Sequence, residues 1–435
     1  MKKYTFLYTL LFLAQLSFAQ ENVYPAKKQE KPVFISNGMV HVGNGTLLNN
    51  ASVEINDGKI VNVGTGIAPS ANAIVIDAKG KHIYPGLILS NSNLGLVEVN
   101  SVRATADAVE IGEFNSNIKS LVAYNTDSKV INTLKTNGVV LANVVPQGGT
   151  ISGSSSVVQL DAWNWEDAAY AKDNGVHLNM PSLFNRPNPY AAFMGTNAPA
   201  GDPVKRGLEE LEKIKTFFNE AKAYLAQTNH EQTNLKFEAI RGLFEKKQKL
   251  FVHCDVVREI IAAIDFKKEF DFEVVLVGAS ESFQVAELLK SNNIPVILNQ
   301  MHALPTLADD GVDLPYALPG LLQKAGVLFA INDEDGQHRG KNLPFNAGTA
   351  VAYGLTKEQA LSSITLNAAK ILGIDDKTGS IEKGKDGNIV ISEGDILDMK
   401  SSKIGMVMIQ GGKGIMIDGF WAGAIINGQI QHWGC

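Results

Sequence analysis

The chain has 435 residues, about three times a typical domain, so a lone small domain is excluded. Its 45% apolar and 19% charged residues belong to an ordinary folded chain and exclude disorder or collagen-like repeats. Lys+Arg 39 against Asp+Glu 45, with no basic block, leaves nucleic-acid binding without an electrostatic footprint, and two cysteines cannot build a disulfide framework.

Residues 1–19 have the three parts of a cleavable export signal. Lys2 and Lys3 precede an apolar run from Phe6 to Leu16, and Ser17-Phe18-Ala19 offers a small-x-small cleavage site after Ala19. The run is too short for a membrane span, and no second long apolar run follows. The expectation is a periplasmic or secreted protein with no membrane span and a polar leader over 20–32.

Residues 33–84 break into short strand-like runs (VFISNGMVHV, ASVEI, KIVNVG, AIVIDA, KHIYPG) punctuated by Asn37-Gly38, Asn44-Gly45 and Asp57-Gly58, dipeptides that favour tight turns. The stretch 387–435 reads the same way, and the two ends are expected to pair as one small discontinuous β-sandwich domain. Between them, residues 85–386 alternate strand and helix patterns: KLFVHC, VVREIIAAI, EVVLVG, ESFQVAELLK and IPVIL. That alternation implies βαβ units, and the fold class expected is α/β, a TIM-like (β/α)8 barrel plus the β domain.

Asp202-Pro203 opens an amphipathic helix with Val204, Leu208, Leu211, Ile214, Phe218, Ala221 and Leu225 on one stripe, and Thr356 to Gln359 matches a capping box. The glycine- and serine-rich run Gly148 to Ser156 lacks the Gly-Lys-Ser/Thr ending of a phosphate loop and reads as a mobile loop at a pocket mouth. Asp161 to Pro203 reads as a long excursion over the barrel mouth, with Trp163-Asn164-Trp165 either packed in a loop or open for ring stacking.

Barrel enzymes place their chemistry where strands end. Here those ends carry Ser90 to Asn93, His253, Gly278, Asn299 with His302 nearby, and Asp333. Together with Pro85-Gly86-Leu87-Ile88, VHCD at 252–255 and the stretch AVAYGLTKEQALSSITLNAAKILGIDDKTGSIEKGKDGNIVI at 350–391, they give a chain that resembles the amidohydrolase superfamily, in its imidazolonepropionase-like branch. The resemblance covers most of the chain beyond the signal. It implies a hydrolase of carbon–nitrogen bonds other than peptide bonds that activates water with one or two divalent metals, usually zinc. Its first strand would end in P-G-L-I-D-x-H-x-H; this chain has Leu89 for the Asp and Asn91 and Asn93 for the two histidines.

Positions i and i+2 of a strand share a side, so Asn91 and Asn93 keep the geometry of a His-x-His pair but offer neutral amide oxygens, poor zinc ligands. The resemblance places the fifth-strand ligand at His253, the sixth-strand position at Gly278, and the eighth-strand Asp at Asp333, with Asn332 as the alternative one residue away. No fourth-strand Lys or Glu can be placed. His253 and Asp333 are therefore the remnant metal ligands, Asp333 is also the catalytic candidate, and Asn91, Asn93, His302 and His338 are candidate ligand-binding residues. A hydrogen-bonded leftover histidine and a capping carboxylate stand as the plain readings of the first two. His253, His302, Asp333 and His338 could assemble a replacement metal site, and Asp333-Glu334-Asp335-Gly336 could offer oxygens to a hard cation. Cys254 follows His253 directly, so the two face opposite sides and the thiol reads as core.

Two ligand positions cannot hold a catalytic zinc, which needs three plus water. The expectation is thus an exported pseudoenzyme of this fold with no cofactor (zinc or another divalent metal if any). It would act as a binding or partner subunit, for a small amide or cyclic-amide ligand or in a homo- or hetero-oligomer with an intact relative. The alternative is an active amide, cyclic-amide or dipeptide-like hydrolase with an altered metal centre.

Overall fold

The computed structural model describes residues 25–435 apart from 27, 100, 185–201, 300, 306, 308, 334–338, 412, 418–421, 427–428 and 431–435, with side chains described as far as Gly411. Residues 1–19, expected to be an export signal, and His338 therefore lie outside the described residues, as do Glu334, Asp335 and Gly336 of the acidic run.

Five strands open the fold: β1 (Val33–His41), β2 (Leu47–Asn56), β3 (Lys59–Gly64), β4 (Ile74–Asp77) and β5 (His82–Pro85). Asp57 and Gly58 both have positive φ, 49° and 75°, which makes the predicted tight hairpin between β2 and β3. Asn37-Gly38 behaves differently from its expected turn. The pair is a bulge inside β1, which pairs with β4 over Val33 to Ser36 and with β5 at Met39 and Val40. A strand that changes partner halfway needs the extra residue.

The chain enters the barrel at Gly86, where any Cβ would collide with the Val140 side chain. Eight strands follow: β6 (Leu87–Ser92), β7 (Val139–Val144), β8 (Ile151–Gln159), β9 (Ala169–Asn179), β10 (Lys249–Cys254), β11 (Val274–Gly278), β12 (Val296–Leu298) and β13 (Phe329–Ile331). They form one sheet in chain order from β6 to β13. Unlike an ideal (β/α)8 barrel, β8 runs antiparallel to both β7 and β9; all other neighbours are parallel.

Strands β8 and β9 correct two expectations. Ile151 to Ser156 is fully buried strand, leaving only Gly148 to Thr150 as a turn. Ala169 to Asn179, within the expected excursion, is the fourth barrel strand. Small serines and glycines read as a loop by composition, yet a crowded barrel interior selects them for size. Asn164 caps a one-turn helix by accepting from the Asp167 amide at 2.9 Å, Trp165 packs on the core, and Trp163 is exposed.

The remaining strands, β14 (Ile389–Ser392), β15 (Ile404–Ile409), β16 (Lys413–Ile417), β17 (Ala422–Ile426) and β18 (Gln429–Ile430), return to β5 and complete a mixed ten-stranded sheet from both chain ends. It is separate from the barrel sheet and has its own core, which includes Ile35, Val53, Ile83, Ile389 and Met408.

The predicted helix caps are present. Asp202 accepts from Val204 N at 2.9 Å at the start of the Pro203–Leu225 helix; the Gln359 amide donates to Thr356 Oγ1 at 3.3 Å and the Thr356 amide to Gln359 Oε1 at 2.9 Å. The helix stripe rotates slightly from its predicted face. Leu208 is exposed and Gly207 is buried instead, with the Ser182 carbonyl where a Cβ would stand. Among the described residues no helix is long and apolar enough to cross a membrane.

Candidate functional site

The sheet path leaves β13 and β6 unpaired with each other. One side chain spans that seam. Asn332, fully buried just past β13, donates Nδ2 to the Asn91 carbonyl at 2.8 Å and accepts the Asn91 amide on Oδ1 at 3.1 Å. A carboxamide carries one donor and one acceptor in the geometry of a peptide group, so Asn332 substitutes for one backbone pair of the missing ladder. The network extends inward: Nδ2 of Asn91 and of Asn332 both reach Asn299 Oδ1 at 3.4 Å.

One of the candidate residues, Asn91, thus belongs to a network of amides with Asn299 and Asn332. Asn93 lies two residues on, and the buried Oδ1 atoms of both have no partner among the described residues. Asn143 on β7 is fully buried with neither amide atom paired there.

His253 lies opposite Asn179 across the β9–β10 ladder. Its Nε2 meets Nδ1 of the fully buried His177 at 2.9 Å. One proton between two nitrogens suits a neutral pair, and burial enforces neutrality. It brings the His253 pKa down to about 4 and holds His177 well below the ordinary histidine range, where the neighbouring imidazole adds to the effect. Asn179 turns its Nδ2 to the Gly149 carbonyl (2.7 Å) and Ser152 Oγ (3.0 Å). Cys254 is a buried free thiol whose pKa burial pushes well up, with Glu259 and Asp255 adding to it, as a core residue requires.

Gly278 ends β11 with φ +91°, and a Cβ there would lie 2.8 Å from Asp255 Oδ1 and 3.0 Å from the Cys254 carbonyl. The Asp255 carboxylate thus stands where a sixth-strand ligand would have to begin. Asp333 is buried, accepts from Asn346 Nδ2 at 3.1 Å and has the Arg339 guanidinium at 3.7 Å. It is Asn332, not Asp333, that joins Asn91 and Asn299. His302 is exposed and bonds Thr349 Oγ1 through Nε2 at 2.8 Å, with Tyr316 packed edge-on.

Tested against a catalytic zinc, these residues do not fit. The His253 Nε2 lone pair or proton is committed to His177, position 278 has no side chain, and Asn91, Asn93 and Asn332 offer neutral amide groups, those of Asn91 and Asn332 tied to Asn299 and that of Asn332 also to the Asn91 backbone. Among the described residues no group of three or more His, Cys, Asp or Glu is arranged to hold a metal ion. The set can do other things: accept and donate hydrogen bonds from fixed, uncharged groups.

A cavity of about 540 Å³ opens beside His253 over the ends of β9 to β12, bounded by Leu314 and Leu318 of the Leu314–Ala325 helix. Asn179, Ser182, His253 and Asn299 give it polar points, and Met180, Val277, Leu298 and Met301 an apolar wall. Size and mixed lining are those of a small-molecule site. His177 and Asn179 escaped the sequence reading, although the alternation Val176-His177-Leu178-Asn179 carries the period-two signature of a strand with two polar groups on one face.

The amidohydrolase family model matches residues 191–419, more than half of the chain. The chain is 22% identical over 373 residues to the amidohydrolase tasK of Hapsidospora irregularis, covering 77% of this chain and 36% of that protein. It is 24% identical over 249 residues to an imidazolonepropionase of Porphyromonas gingivalis, covering 55% of this chain and 53% of that one. A dihydroorotase of Trichlorobacter lovleyi is 29% identical over 33% of this chain and 36% of its own length. The chain thus spans between about a third and a half of these curated relatives. Among solved structures, an amidohydrolase from Thermotoga maritima superposes with a TM-score of 0.77 at 25% identity, covering 88% of this chain and 99% of that one.

Proposed function

The chain belongs to the amidohydrolase family, and from that premise we propose that it is a binding member of the family that does not run metal-dependent hydrolysis, holding a small amide or cyclic amide in the cavity beside His253. The observation that carries this reading is the replacement of the zinc donor set by paired neutral groups. His253 is tied to His177, Asn332 to the Asn91 backbone, and Asp255 fills the space at Gly278. An amide ligand needs a donor and an acceptor held at fixed positions, and Asn179, Ser182, His253 and Asn299 line the cavity with both.

The test is metal uptake and turnover together. Protein dialysed against zinc and then against buffer is expected to retain no stoichiometric metal and to release no product from amide or cyclic-amide substrates. One zinc per chain, lost in His253→Ala, with turnover that follows the metal, would overturn the proposal in favour of an active hydrolase with an altered centre.

The reading includes export, with cleavage after Ala19 and residence in the periplasm or outside the cell, and assembly with itself or with an intact relative. The N-terminal sequence of protein from its native compartment tests the first. Its mass in solution, alone and mixed with such a relative, tests the second.

A further inference from the structure

Three half-buried side chains of the cavity lining, Asn179, His253 and Asn299, each have one polar end tied down and the other open. The ties fix which end is which. At Asn299 the polarity comes from the backbone. The Asn91 carbonyl can only accept and the Asn91 amide can only donate, so Asn332 must meet them with Nδ2 and Oδ1 respectively. Asn332 Nδ2, together with Asn91 Nδ2, then faces Asn299, which answers both with Oδ1 at 3.4 Å. Nδ2 of Asn299 is the end left over.

Asn179 is fixed the opposite way. Its Nδ2 donates to the Gly149 carbonyl at 2.7 Å and to Ser152 Oγ at 3.0 Å, so Oδ1 is left over. His177 decides the tautomer of His253. It is fully buried, and its Nε2 has no partner among the described residues. A buried N–H without a partner is rarer than a bare acceptor, so the His177 proton belongs on Nδ1 and goes to His253 Nε2 at 2.9 Å. The proton of neutral His253 then sits on Nδ1. None of the three leftover atoms is among the buried unpaired ones, so each reaches open space.

We infer that the cavity selects amides that keep an N–H and reads them in one orientation. The carbonyl oxygen goes to the donors Asn299 Nδ2 and His253 Nδ1, and the N–H goes to the acceptor Asn179 Oδ1. This rests on the proposed function and narrows it. An ester or a fully N-substituted amide leaves Asn179 without a donor, and a ligand with an N–H but no carbonyl leaves Asn299 and His253 without an acceptor. A polar group stranded on binding loses its water and gains nothing in return, so either omission weakens binding. The apolar wall of Val277, Leu298 and Met301 takes the rest of the ligand.

Oxindole, N-methyloxindole and indole share one bicyclic skeleton and carry, in turn, both groups, the carbonyl alone and the N–H alone. All three are uncharged, so the carboxylates in the lining, Asp255, Glu259 and Asp310, weigh on them alike. Titrated calorimetrically into the full-length protein at neutral pH, oxindole is expected to bind about tenfold more tightly than either of the others. Asn299→Asp keeps an oxygen for Asn91 and Asn332 but turns a second oxygen to the cavity. It is expected to erase the preference for oxindole over indole and to leave the preference over N-methyloxindole. Equal wild-type affinity for oxindole and N-methyloxindole overturns the assignment and leaves the amide-binding reading standing. Indole binding as tightly as oxindole overturns it as well, and both comparisons stand whether or not the variant folds. A preference for oxindole over indole that survives Asn299→Asp overturns the role of Asn299. Binding of none of the three ends this assignment together with the amide-binding reading, and stoichiometric zinc uptake with turnover is the separate signal that the underlying reading has failed.

Discussion

Asn332→Ala tests the claim that a side chain closes the barrel. The substitution removes the two bonds to the Asn91 backbone, at 2.8 and 3.1 Å, and strands a buried N–H and a buried C=O at the seam. Each buried group left without a partner costs about 1–3 kcal/mol, so the loss should be about 2–6 kcal/mol, larger than a surface asparagine could give. Asn332→Asp supplies the control. It keeps the acceptor for the Asn91 amide but turns a carboxylate toward the Asn91 carbonyl and Asn299 Oδ1.

Burial and those oxygens would raise that aspartate above its unfolded pKa of about 3.9. An acid with a raised folded pKa stabilises when protonated, so the variant's deficit should be small below the unfolded value of about 3.9 and grow as pH rises from there through the folded pKa. Urea unfolding of the wild type and both variants at pH 5 and pH 7, followed by fluorescence and circular dichroism together, gives the comparison. An Asn332→Ala loss below about 0.5 kcal/mol, the range of ordinary surface substitutions, or an Asn332→Asp deficit independent of pH, would refute the seam argument.

The His177–His253 pair makes the wild type acid-sensitive. Both folded pKa values are depressed, so their contribution is complete above the unfolded value of about 6.5 and is lost as pH falls toward about 4, the His253 value. The urea midpoint of His253→Asn should therefore fall less steeply across that window than that of the wild type. Gly278→His should destabilise the protein by at least about 1 kcal/mol from its positive φ alone, and equilibrium dialysis should show no gain in zinc affinity, because Asp255 Oδ1 blocks the Cβ. Lys135 and Asp161 form a buried ion pair at 3.1 Å, so Lys135→Ala should cost about 3–5 kcal/mol in denaturant unfolding, whereas the exposed Lys246–Asp271 pair should cost under about 1 kcal/mol when Lys246 is replaced.

Features that depend only on neighbours along the chain are legible in the order of residues. Asp57-Gly58 needs only its own backbone to turn, Asp202-Pro203 and Thr356 to Gln359 cap helices locally, and short apolar runs mark β1 and β10 wherever they pair. That Asn91 and Asn93 stand where the resembled family's pattern has two histidines was equally plain in the order of residues. The groups that surround those two asparagines are visible only in the folded chain. Nothing in the order of residues says that Asn332 meets the backbone of Asn91, 241 positions away, that His177 binds His253, or that Asp255 covers Gly278. Those contacts exist because a barrel brings the ends of strands distant in sequence to one mouth, where each buried polar group must find a partner among groups the chain order keeps apart. For the same reason β8 escaped recognition: a Cβ at Gly153 would lie 2.6 Å from the Ile118 carbonyl, a demand for small residues that exists only once the fold has brought that distant segment alongside.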